Sequence, residues 1–114
     1  MEIKWIEINS KPYLKFIFDE YLEEQQALDT IVQWRKEFNL HANSKISIIW
    51  DCSKMHGYNP QARIHWQNAI KELKSQTETI WLISSSLIIR TGANIISRFV
   101  GISINAIDSE NKIK

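Results

Sequence analysis

Cysteine is almost absent from this chain. Cys52 stands alone in 114 residues, so no intramolecular disulfide can form and nothing calls for an oxidising compartment. Glycine is nearly as scarce, and its three positions build no glycine-rich phosphate loop. An excess of one charge is missing too: fourteen basic against thirteen acidic residues leave a formal charge of +1. That balance supplies no global field to attract phosphate backbones or anionic lipid, so nucleic acid is not an expected partner. No basic start followed by an apolar core marks a signal peptide, and no apolar run approaches the roughly 20 residues that cross a bilayer. The expectation is a soluble, cytoplasmic protein without membrane insertion. No repeat, linker or low-complexity tract divides the chain, and its length suits one core, so a single domain over residues 1–114 is expected.

What is present is a regular exchange of two hydrophobic periods. Glu2–Ile8 alternates imperfectly and runs into Asn9-Ser10-Lys11-Pro12, which reads as a strand entering a turn. Tyr13–Tyr21 alternates more strictly, with Leu14, Phe16 and Phe18 on one face, and is the antiparallel partner. From about Glu23 the period becomes helical through Ala27, Leu28, Ile31, Trp34 and Phe38. Lys45–Asp51 and Thr79–Ser84 are almost uninterrupted apolar runs, as in strands buried on both faces. Between them Asp51–Tyr58 reads as a loop, and Asn59-Pro60 as a capping residue before a helix through Ala62, Trp66, Ala69, Ile70 and Leu73. Ser84-Ser85-Ser86 opens a third helix, through Ile88, Ile89, Gly92, Ile95, Ile96 and Phe99, that stops at Gly101. Ile102–Ile107 is a last short strand, and Asp108–Lys114 a polar tail. The order β-β-α-β-α-β-α-β predicts an α/β fold: a mostly parallel sheet with one antiparallel N-terminal hairpin.

That order, with Ile46-Ser47-Ile48-Ile49-Trp50-Asp51-Cys52-Ser53 leading to Asn59-Pro60-Gln61-Ala62-Arg63 and on through Ser84-Ser85-Ser86-Leu87 to Phe99, resembles STAS-type domains. Bacterial anti-sigma-factor antagonists and the cytosolic domains of anion transporters share that pattern. The resemblance implies a non-enzymatic regulatory or protein–protein interaction module in signalling. In the antagonists a serine at the start of the helix after an Asp-containing turn is phosphorylated. Here Asp51 matches the turn, but the acceptor region is Asn59-Pro60-Gln61 and has no hydroxyl, so the phosphorylation switch does not carry over. The Ala62-Arg63 pair and the serine-rich turn are most similar to small uncharacterised bacterial STAS-like proteins.

Few constellations suggest chemistry. Cys52 and His56 lie four apart beside Asp51, a spacing that invites a thiolate–imidazole pair; in a loop it aligns nothing, and a lone cysteine is often a small buried hydrophobe, so an inert thiol is expected. His41, His56 and His65 with Cys52 contain no paired metal-ligand spacing, and neither a metal nor another cofactor is expected. His65, beside Trp66, reads as a half-buried packing residue. Trp5, Trp50 and Trp81 on strands read as core, with a partner surface as the alternative. Ser53, His56, Asn59 and Arg63 on one loop, and Ser84, Ser85, Ser86 and Arg90 on another, should meet at carboxyl ends of parallel strands, where open α/β sheets place ligands. These eight are the candidate partner- or ligand-binding residues, for a protein or a small anionic or hydrophobic ligand; Ser86 also suits simple capping. A second ligand reading follows from shared architecture with lipid-carrying CRAL-TRIO domains and would need an enclosed apolar cavity. If the strands lie in chain order, all helices share one side and the other face, also apolar, stays open. That face or its margin is then expected to join a second copy, as a two-fold homodimer, or a partner protein.

Overall fold

A computed structural model describes residues 1–114. Its elements are β1 (Glu2–Ile8), β2 (Lys11–Ile17), β3 (Tyr21–Leu22), α1 (Glu24–Leu40), β4 (Ile46–Asp51), β5 (Gly57–Tyr58), α2 (Pro60–Leu73), β6 (Thr77–Ile83), α3 (Leu87–Val100) and β7 (Ile104–Ile107). Five strands form one sheet in chain order, β1-β2-β4-β6-β7. β1 and β2 pair antiparallel, and every later pairing in that sheet is parallel. The mostly parallel α/β architecture with its N-terminal hairpin is the one the periodicities predict. The hairpin closes through Asn9 and Ser10, both at positive φ (51° and 68°), the mirror-image turn that matches the twist of paired strands.

Crossovers between parallel strands are right-handed, so a sheet in chain order carries its helices on one side. That side presents Leu14, Phe16, Ile48, Trp50, Ile80 and Leu82 to the buried faces of α1, α2 and α3. Trp34 of α1 sits at the centre, with ring centroids 5.1 Å from both Phe16 and Trp66 and 6.3 Å from Trp50. The indole N–H groups of Trp34 and Trp50 are buried without a hydrogen-bond acceptor. They lie among aromatic rings in edge-on contact, an environment in which a π-face partly replaces an acceptor. Trp34, Trp50 and Trp66 are thus core, as periodicity suggests for Trp50. Trp5 is instead on the rim, donating to Glu37 at 2.7 Å and packing on His41, and Trp81 is half-buried on the opposite face.

The opposite face departs from expectation. Tyr13, Ile49 and Ile83 form a second apolar cluster there, and its fourth member is Ile113, only 4% exposed. The segment read as a polar tail folds back instead: Glu110–Lys112 make a 3-10 turn, Glu110 pairs with Lys15 at 2.5 Å, and Ile113 drops into the cluster. Lys15 also lies 3.7 Å from Asp51. The chain therefore covers the centre of its own second face, and an uncovered sheet no longer argues for a homodimer. One isoleucine among six polar residues carries no periodicity, so sequence could not show this cover.

The other corrections are local. β2 ends at Ile17, not Tyr21, because the exposed Asp19 and Glu20 leave the sheet; Tyr21–Leu22 then pair in parallel with Gly57–Tyr58. The segment Asp51–Tyr58 is thus a loop carrying a short strand. β6 begins at Thr77, whose hydroxyl donates to the Leu73 carbonyl, and β7 begins at Ile104.

Candidate functional site at the carboxyl edge

The loops after β4 and β6 emerge side by side, since β4 and β6 are neighbours and the Cys52 N–H donates to the Ile83 carbonyl. The candidate residues lie at this edge, and most of them are occupied in holding the loops. Ser53 donates through its N–H and its hydroxyl to Asp51 Oδ1 (3.1 and 2.7 Å). Asn59 Oδ1 accepts from the N–H groups of Gln61 and Ala62 (2.8 and 3.3 Å), capping α2. Ser84 is buried; its Oγ accepts from the Ser86 N–H, and its carbonyl accepts from Arg90 Nε at 2.6 Å. Ser86 Oγ accepts from the Ile89 N–H and caps α3. Ser85 and His56 are exposed, the His56 N–H donating to the Glu20 carbonyl. Arg63 donates to Gln67 at 3.3 Å.

Between these loops, α2 and α3 lies an apolar cleft of about 50 Å³. Trp50, Cys52, Trp66 and Leu82 form its floor, Phe18, Leu22, Met55 and Tyr58 its rim, and Ile89, Gly92, Ala93 and Ile96 its α3 wall; Arg63 is its only charged lining residue. Of the eight candidates, Arg63 alone reaches it. Leu22, Met55 and Tyr58 were missed because their arrival depends on the β3–β5 pairing, which joins residues more than thirty apart. Gly92 is legible as a helix-face residue, but its role is steric: a Cβ there would meet Tyr58 Oη at 2.6 Å. The missing side chain lets Tyr58 lie across α3.

Cys52 forms part of that floor at 2% exposure. Burial, with Asp51 nearby, pushes its thiol well above the usual range, which suppresses the thiolate a nucleophile needs. His65 is half-buried, with Nε2 2.9 Å from Glu24, the packing role its position suggests. His41 is held on the far rim by Trp5 and by the Glu37 carbonyl.

Beside the cleft, α3 is the most sharply amphipathic of the helices, yet its apolar residues exceed what the core takes. Leu87 is 79% exposed, Ile88 61% and Phe99 73%. No helix is long and apolar enough to cross a membrane.

No protein-family model and no curated protein matches the sequence. Among solved structures, the chain is similar to an uncharacterised protein of the DUF3478 family with a SpoIIAA-like fold, from Shewanella loihica PV-4. The TM-score is 0.79 at 10% identity, covering 96% of this chain and 87% of that one. At that identity the likeness shows the fold alone: the chain has a SpoIIAA-like, STAS-like fold, as its element order implies.

Proposed function

We propose that the protein is a non-enzymatic regulatory module that binds a partner protein through α3 and the adjoining edge of α2. The observation that carries this reading is the exposure of Leu87, Ile88 and Phe99 on one helix. Large apolar side chains left in water cost roughly 25 cal/mol for each Å², and when they gather on one element they mark interaction surfaces. The buried, proton-holding Cys52 supports a role without nucleophilic chemistry. Asn59 is consumed as a cap where antagonists carry their phosphoacceptor, so regulation would act by partner binding without that switch. The small-ligand reading is less favoured, because about 50 Å³ of cleft is well below the roughly 150 Å³ that holds one benzene.

The test is a photo-crosslinking residue placed in turn at Ile88, Phe99 and, as a control, Val32 on α1, which is also exposed. In cells of the native host, a protein adduct is expected at Ile88 or Phe99 and not at Val32. Adducts of lipid or metabolite only, or the same proteins at all three positions, would refute the reading.

A further inference from the structure

The groove between α2 and α3 has two unlike walls. The helices run the same way, since Tyr58, just before α2, lies on Gly92 near the start of α3, and Lys74 Nζ, just after α2, reaches the Val100 carbonyl at its end (3.1 Å). On α3, Ile88, Ile95 and Phe99 share the flank of Gly92 that faces α2. Arg63 lines the cleft against α3 and Lys74 reaches its end, with Gln67 and Lys71 at helical spacing between them on the same side of α2, whereas His65 and Glu72 are turned to α1, bonded to Glu24 and Arg35. Each row spans twelve residues, about 16 Å at helical rise. One wall is therefore apolar and the other basic, in register and of equal length.

The segment that carries both helices is one-sided in charge. From Asn59 to Ile107 the chain has five basic residues, Arg63, Lys71, Lys74, Arg90 and Arg98, and two acidic ones, Glu72 and Glu78. Both carboxylates are engaged elsewhere, Glu72 by Arg35 and Glu78 by Lys11 and Ser47. Of the five basic residues, Arg63, Lys71 and Lys74 border α3, whereas Arg90 is turned to the Ser84 carbonyl and Arg98 lies on the outer line of α3; the first 58 residues hold seven basic and nine acidic side chains.

We infer that the α2–α3 groove receives an acidic amphipathic helix of a partner protein, its apolar flank against Ile88, Ile95 and Phe99 and its carboxylates against Arg63, Lys71 and Lys74. The inference rests on the interaction reading above and names the partner's chemistry. Helix-in-groove recognition needs apolar anchors at such spacing, and complementary charge sets orientation and excludes wrong partners. A membrane surface fits less well. The outermost line of α3 is Leu87, Thr91, Asn94 and Arg98, mostly polar, and the apolar row looks sideways into the groove. A second copy presenting the same groove would bring the same positive charges together.

The probe is a synthetic helix of about 14 residues, roughly four turns, with leucines along one flank and glutamates along the next. A control peptide carries lysine for each glutamate, and a further arm uses phosphatidylglycerol vesicles. With isotope-labelled protein, amide shifts should saturate with the glutamate peptide and fall on α2 and α3. Binding should weaken by about tenfold or more in Arg63→Glu/Lys71→Glu and in Phe99→Ser, all at exposed or half-exposed positions whose folding circular dichroism verifies. Equal binding of the lysine peptide, shifts elsewhere, no saturation at millimolar peptide, vesicle binding in its place, or self-association that blocks the groove would each overturn the inference. If a protein crosslinks at Phe99 yet the glutamate peptide fails, the acidic helix is wrong and the interaction reading stands. If no protein crosslinks at α3, the reading itself falls.

Discussion

Asn59 shows how much one residue can settle locally. An asparagine before a proline predicts a cap, and Oδ1 accepts from two N–H groups at the start of α2. Asn59→Ala should cost about 1 kcal/mol, measured by chemical denaturation; an unchanged midpoint would mean the cap contributes nothing. Cys52 reads as an inert thiol, and the structure supplies a reason to expect it, burial beside Trp50, Trp66 and Leu82. Its reaction with a thiol reagent in the native protein should be far slower than that of free cysteine at neutral pH and should rise to the free rate on unfolding. Ser86 reads as a helix cap and is one, whereas nothing in the spacing shows that the Ser84 hydroxyl is taken by the Ser86 N–H; a sequence cannot tell a hydroxyl in use from one that is free.

Between elements, the pairing of β3 with β5 and the seating of Tyr58 on Gly92 set the rim of the cleft. Gly92→Ala brings two opposed effects: alanine favours a helix interior by about 1 kcal/mol, but its methyl displaces Tyr58. A double-mutant cycle should therefore show Gly92→Ala to be stabilising in a Tyr58→Ala background and less favourable in the parent, with a coupling of about 1 kcal/mol. Additivity would mean that the contact carries no energy. The Arg35–Glu72 pair links α1 to α2 through two hydrogen bonds of 2.9 Å, and the Arg35 guanidinium holds the Glu72 carboxyl below its usual range. A depressed folded value means the pair stabilises fully above pH about 4.5 and loses that contribution as pH falls through the folded value. Both side chains are about half exposed, which limits the effect to roughly 0.5 kcal/mol. Glu72→Gln should lower stability by no more than that at neutral pH and low salt, with the difference vanishing in acid; a gap that persists in acid would point to packing.

At the scale of the whole molecule, the sheet has one face under three helices and the other under Ile113 and the turn before it. Ile113→Ala should cost about 2 kcal/mol. Ile113→Asp should uncover Tyr13, Ile49 and Ile83 and raise light scattering at micromolar concentration relative to the parent. If both variants behave like the parent, the segment does not cover this face in solution.

The type and order of the longer elements were written in the chain because they depend on local spacing; the short strands β3 and β5 were not. Alternation makes Glu2–Ile8 a strand whichever partner it meets, three- and four-residue steps make α1 amphipathic, and Gly101 ends α3 because it readily adopts the left-handed conformation found there (φ 74°). The edge at which a site would form was legible for the same reason, since parallel strands fix where their carboxyl ends gather. What only the tertiary structure decided was every contact made across distance: Tyr21–Leu22 joining Gly57–Tyr58, Ile113 reaching Tyr13 and Ile49, and the basic flank of α2 lying beside the apolar flank of α3. Such contacts are selected by the energy of burying two surfaces together, and neither surface alone records in its residue spacing which other one it will meet.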